Sequence, residues 1–166
     1  MEFASYKRKF GIRAAICISL SAALVDPLLA QEDHPIYYGS RAGMHVTTVS
    51  QSGIGTTNAI IMIKHTPKDA KAYCVDYELD YSMACVKRTM ADVKVEDRVT
   101  GDCKKKTWTD VYGQAYAFEG KANSSEIMAD YVVREVASGE ILDGSSASGY
   151  YTVLSVFQQL CPGIAN

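Results

Sequence analysis

Four cysteines are the residues best suited to covalent chemistry in this chain. Cys74, Cys85, Cys103 and Cys161 all lie downstream of a leader-like N-terminus. An even number in a small exported domain reads as two disulfides. Three connectivities are open to four cysteines. The local pattern favours Cys74–Cys85 and Cys103–Cys161. Zinc is the rival chemistry, but the ten residues between Cys74 and Cys85 exceed the about two to four of a structural zinc knuckle. No Cys-x-x-Cys pair occurs, which argues against thiol–disulfide exchange.

The histidines offer a second chemistry. His34 lies in a polar stretch near the start of the exported chain. In a hairpin centred on Ile54 or Gly55, His45 and His65 come close to facing each other, with Asp69 nearby. Two imidazoles and a carboxylate are donors suited to a divalent metal. Two edge histidines in a β pair explain the same spacing without one, and a one-residue slip puts them on opposite faces. Neither a metal nor a cofactor is assigned.

The segment Gly144 to Gly149 (GSSASG) is rich in serine. It spells no G-x-S-x-G and has no histidine near it in sequence. It reads as a turn capping the last helix, with anion binding by free N–H groups as a variant. The carboxylates Asp76, Glu78 and Asp80, the pair Glu96-Asp97, and Asp110 read as solvated surface. A glycosidase needs two carboxylates at a set separation, which sequence spacing does not supply. No catalytic residue is assigned. Phosphate-loop, dinucleotide, calcium-loop and zinc-protease motifs are missing.

Tyrosine is the compositional oddity, with ten of eleven beyond residue 30. Its ring has an apolar face and a polar tip, which suits partner surfaces. Sheet packing accounts for most of them. The doublets Tyr37-Tyr38 and Tyr150-Tyr151 are harder to bury within one regular element. They form the candidate partner surface.

The N-terminus has the form of a secretory signal peptide. Lys7, Arg8, Lys9 and Arg13 precede the uncharged run Ala14 to Val25, and Ala30 suits a last leader residue. The run has 12 residues, short of the ~20 that span a bilayer. No stable membrane span is expected after cleavage. Cys17 follows Ile16, a poor context for lipid attachment. The expected organisation is a signal peptide over 1–30 and a single domain over 31–166. Loss of the leader removes four basic and two acidic side chains, leaving 13 Lys and Arg against 17 Asp and Glu, net −4. A full-chain pI near 5.9 and a lone basic run, Lys104-Lys105-Lys106, argue against nucleic acid. A hydrophobic content of 48% argues against disorder.

The elements that must position these residues follow from periodicity. Ile36 to Tyr38, Met44 to Ser50, Asn58 to His65, Arg98 to Cys103 and Met128 to Val136 read as strands. The apolar run in Asn58 to His65 predicts burial on both faces, near the sheet centre. Thr66-Pro67-Lys68-Asp69 is a helix start. Ala70, Tyr73, Cys74 and Tyr77 then share one face, and Met83, Val86, Met90 and Val93 repeat the pattern, with Asp80 or Ser82 as cap. Thr107 to Tyr112 and Ala115 to Glu119 flank Gly113-Gln114, which predicts a two-residue type II′ hairpin with Val111 opposite Tyr116 and Thr109 opposite Phe118. Val153, Leu154, Phe157, Leu160 and Cys161 form the stripe of a closing amphipathic helix, stopped by Pro162-Gly163. Asn123-Ser124-Ser125 is a glycosylation sequon, relevant only in a eukaryotic secretory pathway.

The predicted fold is α+β: a mostly antiparallel sheet, an inserted disulfide-linked helical pair and a C-terminal amphipathic helix. The expected class is a small bacterial protein, periplasmic or secreted, that binds a protein partner or envelope component without catalysis. A host-directed virulence effector is the alternative. A small cell-wall hydrolase is a further one, requiring Ser146, His45 and His65 to converge.

Overall fold

Seven strands pair with their neighbours in chain order, every pair antiparallel. They are β1 (Ile36–Tyr37), β2 (His45–Ser52), β3 (Ala59–Lys64), β4 (Arg98–Asp102), β5 (Thr107–Thr109), β6 (Ala115–Lys121) and β7 (Tyr131–Glu135). The helices α1 (Pro67–Asp76) and α2 (Met83–Asp92) are inserted between β3 and β4, and α3 (Tyr150–Leu160) closes the chain. This is the expected α+β architecture, with the sheet curled. The computed structural model describes residues 35–123, 129–145 and 147–165, all in the unit Asp33–Asn166. The leader, His34, Ser124, Ser125, Met128 and Ser146 lie outside the described residues.

Both favoured disulfides form. Cys74–Cys85 joins α1 to α2, and Cys103–Cys161 joins the end of β4 to the end of α3. The α3 stripe reads as expected, with Val153, Leu154, Phe157, Leu160 and Cys161 all buried. Phe157 stacks on Trp108 at 4.6 Å and on Phe118 at 5.1 Å between centroids. The Trp108 indole N–H donates to the Val153 carbonyl at 3.1 Å. The helix therefore meets the sheet through apolar area and directed bonds, a second being the Tyr131 N–H to the Tyr150 hydroxyl. Burying a side chain such as Phe157 is worth ~1.5–3 kcal/mol.

The α1 start behaves as its sequence implies. Thr66 is the N-cap and Pro67 the first helical residue, and Thr66 and Asp69 form a reciprocal capping box. Ser82, not Asp80, caps α2: its hydroxyl accepts from the Cys85 N–H, while Asp80 accepts from the Ser82 N–H. The α1 backbone comes so close to the β1–β2 turn that a Cβ on Gly43 would lie 2.5 Å from Tyr73 N, and Gly43 has φ +75°. Only glycine suits both demands.

Two expectations need correction. In β3, Ala59, Ile61 and Ile63 are buried, but Ile60 and Met62 on the other face are only half-buried. The strand is interior to the sheet, third of seven, and only one of its faces looks into the core. The β5–β6 hairpin is also not a two-residue turn. Pairing ends at Thr109↔Ala115, and Trp108, not Val111, lies opposite Tyr116. A buried carboxylate causes this. Asp110 Oδ1 accepts from the N–H groups of Tyr112 and Gln114, both at 2.9 Å. Those bonds hold a wider loop and turn Val111 into the core. Asp110 is thus not solvated surface, and burial pushes its carboxyl above the usual range.

The two disulfides close loops of different length, 58 and 11 residues apart. Unfolded-chain entropy scales with that length. Replacing Cys103 and Cys161 by serine is expected to cost ~4 kcal/mol, against ~3 kcal/mol for Cys74 and Cys85. Urea unfolding of the two double variants checks the order.

Candidate functional site

The tyrosine doublets split between core and surface. Tyr38 and Tyr150 are buried, at 4% and 1% exposure, whereas Tyr37 and Tyr151 expose 38% and 64%. Neighbouring residues point to different faces in extended chain and lie about 100° apart on a helix. Tyr38 and Tyr150 therefore do not belong to an exposed surface. The Tyr150 hydroxyl accepts from the Tyr131 N–H at 3.1 Å. The Tyr38 carbonyl accepts from the Tyr112 hydroxyl at 2.7 Å.

The two exposed members meet at one groove. Tyr37 comes from β1 and Tyr151 from the first turn of α3, and together they line a cavity of about 420 Å³. Ser40, Arg41 and Ala42 of the β1–β2 connection form one side, and Thr152 and Ser155 of α3 the other. A second hollow of about 290 Å³ shares Tyr37, Gly149 and Thr152 and runs on toward Asp110 and Tyr112. The Asp110 loop therefore shapes this end of the groove, because its bonds set where Tyr112 stands. Arg41 lines the groove and also lies over the Tyr77 ring, 4.6 Å from its centroid. A cation so placed is attracted by the ring quadrupole.

Gly149 is the N-cap of α3, with φ +70° and no side-chain cap. The serine-rich loop does not cap this helix as expected. It bonds within itself: Ser145 N–H donates to Asp143, and Ser148 N–H and hydroxyl bond to Ser145. Ser146 lies outside the described residues.

Of the two histidines, His45 approaches the Asp69 carboxylate, while His65 makes no bond to it. His45 Nε2 is 3.6 Å from Asp69 Oδ1. Asp69 is buried and already engaged. It accepts from the Thr47 hydroxyl at 2.9 Å, the Thr66 N–H at 2.8 Å and the Thr66 hydroxyl at 2.7 Å. The carboxylate that sequence spacing offered to a metal instead ties the α1 N-terminus to β2. Among the described residues, no group of three or more His, Cys, Asp and Glu is arranged to hold a metal ion.

His65 is the unusual member. It is buried, and both ring nitrogens lack a hydrogen-bond partner among the described residues, as does the buried Tyr38 hydroxyl. The two rings meet edge to face at 5.3 Å. Unpartnered buried polar groups are uncommon in native structures. Burial holds the imidazole below its usual range; nearby Asp69 opposes that shift, and His45 adds to it. Burial likewise pushes the Tyr38 phenol up to about 12.

Sequence reasoning missed three residues here. Arg41 sits in a loop with no motif around it. Asp110 was one carboxylate among many, although an acidic residue just ahead of a turn is a recognisable signal. Asp69 was seen only as a helix-start residue and a spare donor. Comparison with protein-family models, curated proteins and solved structures found no match for this chain.

The His65 environment predicts a pH dependence. The folded state holds the imidazole neutral, while the unfolded chain takes up a proton near the ordinary value of 6.5. Stability is therefore full above that value and falls as the pH drops below it. Tyr38, His45 and Asp69 are the titratable neighbours. His65→Phe keeps the ring and removes the titration. Thermal unfolding over roughly pH 7 to 5 is expected to show a flatter slope for the variant than for the parent chain.

Proposed function

We propose that this chain is an exported, non-enzymatic binding domain. It takes a protein partner or an envelope component against the groove between β1 and α3. The observation that carries the reading is the meeting of Tyr37 and Tyr151 at one cavity beside Arg41. Two exposed aromatic rings and an arginine are the residue types enriched where partners bind most strongly. Rigid rings supply contact area at low entropic cost.

The leader-like N-terminus and the two disulfides support export to an oxidising compartment, periplasmic or extracellular. No described helix is long and apolar enough to cross a membrane.

The test is a double variant, Tyr37→Ala with Tyr151→Ala. Tyr151 is largely exposed but Tyr37 only partly so; a modest loss of stability is expected, and thermal unfolding is recorded beside capture to show that the double variant is folded. Captured partner from an envelope fraction is expected to fall by roughly tenfold or more, as for loss of an aromatic hot spot. Undiminished capture by a folded double variant would remove the groove from the function.

A further inference from the structure

The turn between α1 and α2 carries a run of exposed apolar side chains close together in sequence. Leu79, Tyr81 and Met83 expose 72%, 77% and 64% of their surface, and Tyr77 beside them is exposed as well. All four fall within seven residues of chain. Scattered exposed apolar side chains need no explanation, but a contiguous set rimmed by polar groups marks an interaction site.

The segment is held rather than loose. Cys74–Cys85 closes it at its base. The Asp80 N–H donates to the Cys74 carbonyl at 2.9 Å, and the Glu78 N–H donates to the Tyr73 carbonyl at 3.3 Å. Leu79 has φ +54°, in the left-handed region. A leucine there is disfavoured, since its Cβ crowds the backbone and it lacks the local hydrogen bonds of Asn or Asp. The fold therefore holds an exposed leucine in a conformation that glycine would adopt more easily. Such strain gathers at binding sites.

The rim is acidic. Asp76, Glu78 and Asp80 alternate with Tyr77, Leu79 and Tyr81. Arg88 reaches Asp80 at 3.9 Å. Glu78 accepts from the Tyr73 hydroxyl. Among the described residues, neither Asp76 nor Glu78 forms an ion pair. The apolar tips thus stand among three carboxylates, of which only Asp80 is ion-paired.

We propose that this disulfide-closed knuckle docks into a protein partner whose receiving surface is an apolar pocket edged by Lys and Arg, with Leu79 as the anchoring side chain. Charge complementarity selects that partner chemistry. Preorganisation by the disulfide and the turn bonds lowers the ordering cost of binding. The surface is separate from the Tyr37–Tyr151 groove, and Arg41, stacked on Tyr77, stands between the two.

The test titrates the oxidised protein with two amphipathic helical peptides, one of Leu and Lys and one of Leu and Glu. Amide chemical shifts are followed by NMR. The Leu/Lys peptide is expected to shift Tyr77 to Met83, with an affinity that falls as salt screens the rim. Leu79→Gly is expected to weaken it roughly tenfold while thermal unfolding stays level or rises, because glycine accepts positive φ. If that variant loses stability, Tyr81→Ser, which alters an exposed ring only, takes its place with the same expectation. Asp76→Lys with Glu78→Lys should transfer the preference to the Leu/Glu peptide. Tyr37→Ala with Tyr151→Ala should leave the titration unchanged, so the groove and the knuckle fail or stand separately. Equal binding of both peptides, shifts confined to the groove, full affinity in a folded Leu79→Gly chain, or knuckle shifts that appear on concentrating the protein alone would each overturn the proposal.

Discussion

The packing of α3 in the hollow of the sheet is the constraint on which the rest of this structure depends. Phe157 lies against Trp108 and Phe118, and Leu160 lies over Gly101, where a Cβ would come within 3.3 Å of its side chain. The Cys103–Cys161 bond fixes the far end of the helix to β4. The Gly55 N–H donates to the Leu160 carbonyl at 2.8 Å and brings the β2–β3 turn to the same end. The sheet bends locally at register shifts near Thr48–Ser50 and Phe118–Gly120, which add to the ordinary twist of strands. The helix, held by covalent, apolar and directed contacts, fills the hollow that results. The groove follows from this, because the first turn of α3 must pass β1 for the stripe to reach the core.

Two buried carboxylates complete the frame. Asp69 joins the α1 N-terminus to β2, and Asp110 shapes the β5–β6 loop. Both accept several N–H or O–H donors, which is how a buried carboxylate is tolerated. The Asp110 loop presents Tyr112, whose hydroxyl reaches the carbonyl of Tyr38, 74 residues earlier. That bond brings the middle of the sheet back to its first strand. His65 and the Tyr38 hydroxyl stand beside this frame without partners of their own among the described residues. The two rings meet edge to face, where the chain leaves β1 and passes from β3 to α1.

Most of the exposed aromatic side chains stand in two groups around this frame, while Val49, Val136 and Ile141 are exposed elsewhere. One lines the groove at the α3 start, and the other tops the α1–α2 knuckle. Arg41 touches both, as part of the groove wall and as a cation over Tyr77. Each group stands on covalently held chain: α3 through Cys161, and the knuckle through Cys74 and Cys85.

Much of the fold was legible because it rests on local rules. Thr66-Pro67-x-Asp69 determined where α1 begins, since cap, proline and carboxylate all act within one turn. The disulfide pairing followed from two short helices that place Cys74 and Cys85 near their junction, and from a stripe that aims Cys161 inward. The α3 stripe and most strands were set by periods of 3.6 and two. Tertiary structure alone decided the rest. The β5–β6 register turned on whether Asp110 would be buried and bonded to the loop, which no spacing rule reveals. The splitting of the tyrosine doublets depended on which face of β1 and which side of α3 met the core. The placement of Arg41 on Tyr77, and of His65 among groups that leave it unpartnered, required segments far apart in sequence to meet. Local order is written in neighbouring residues. Which rings remain outside is decided only when distant segments pack.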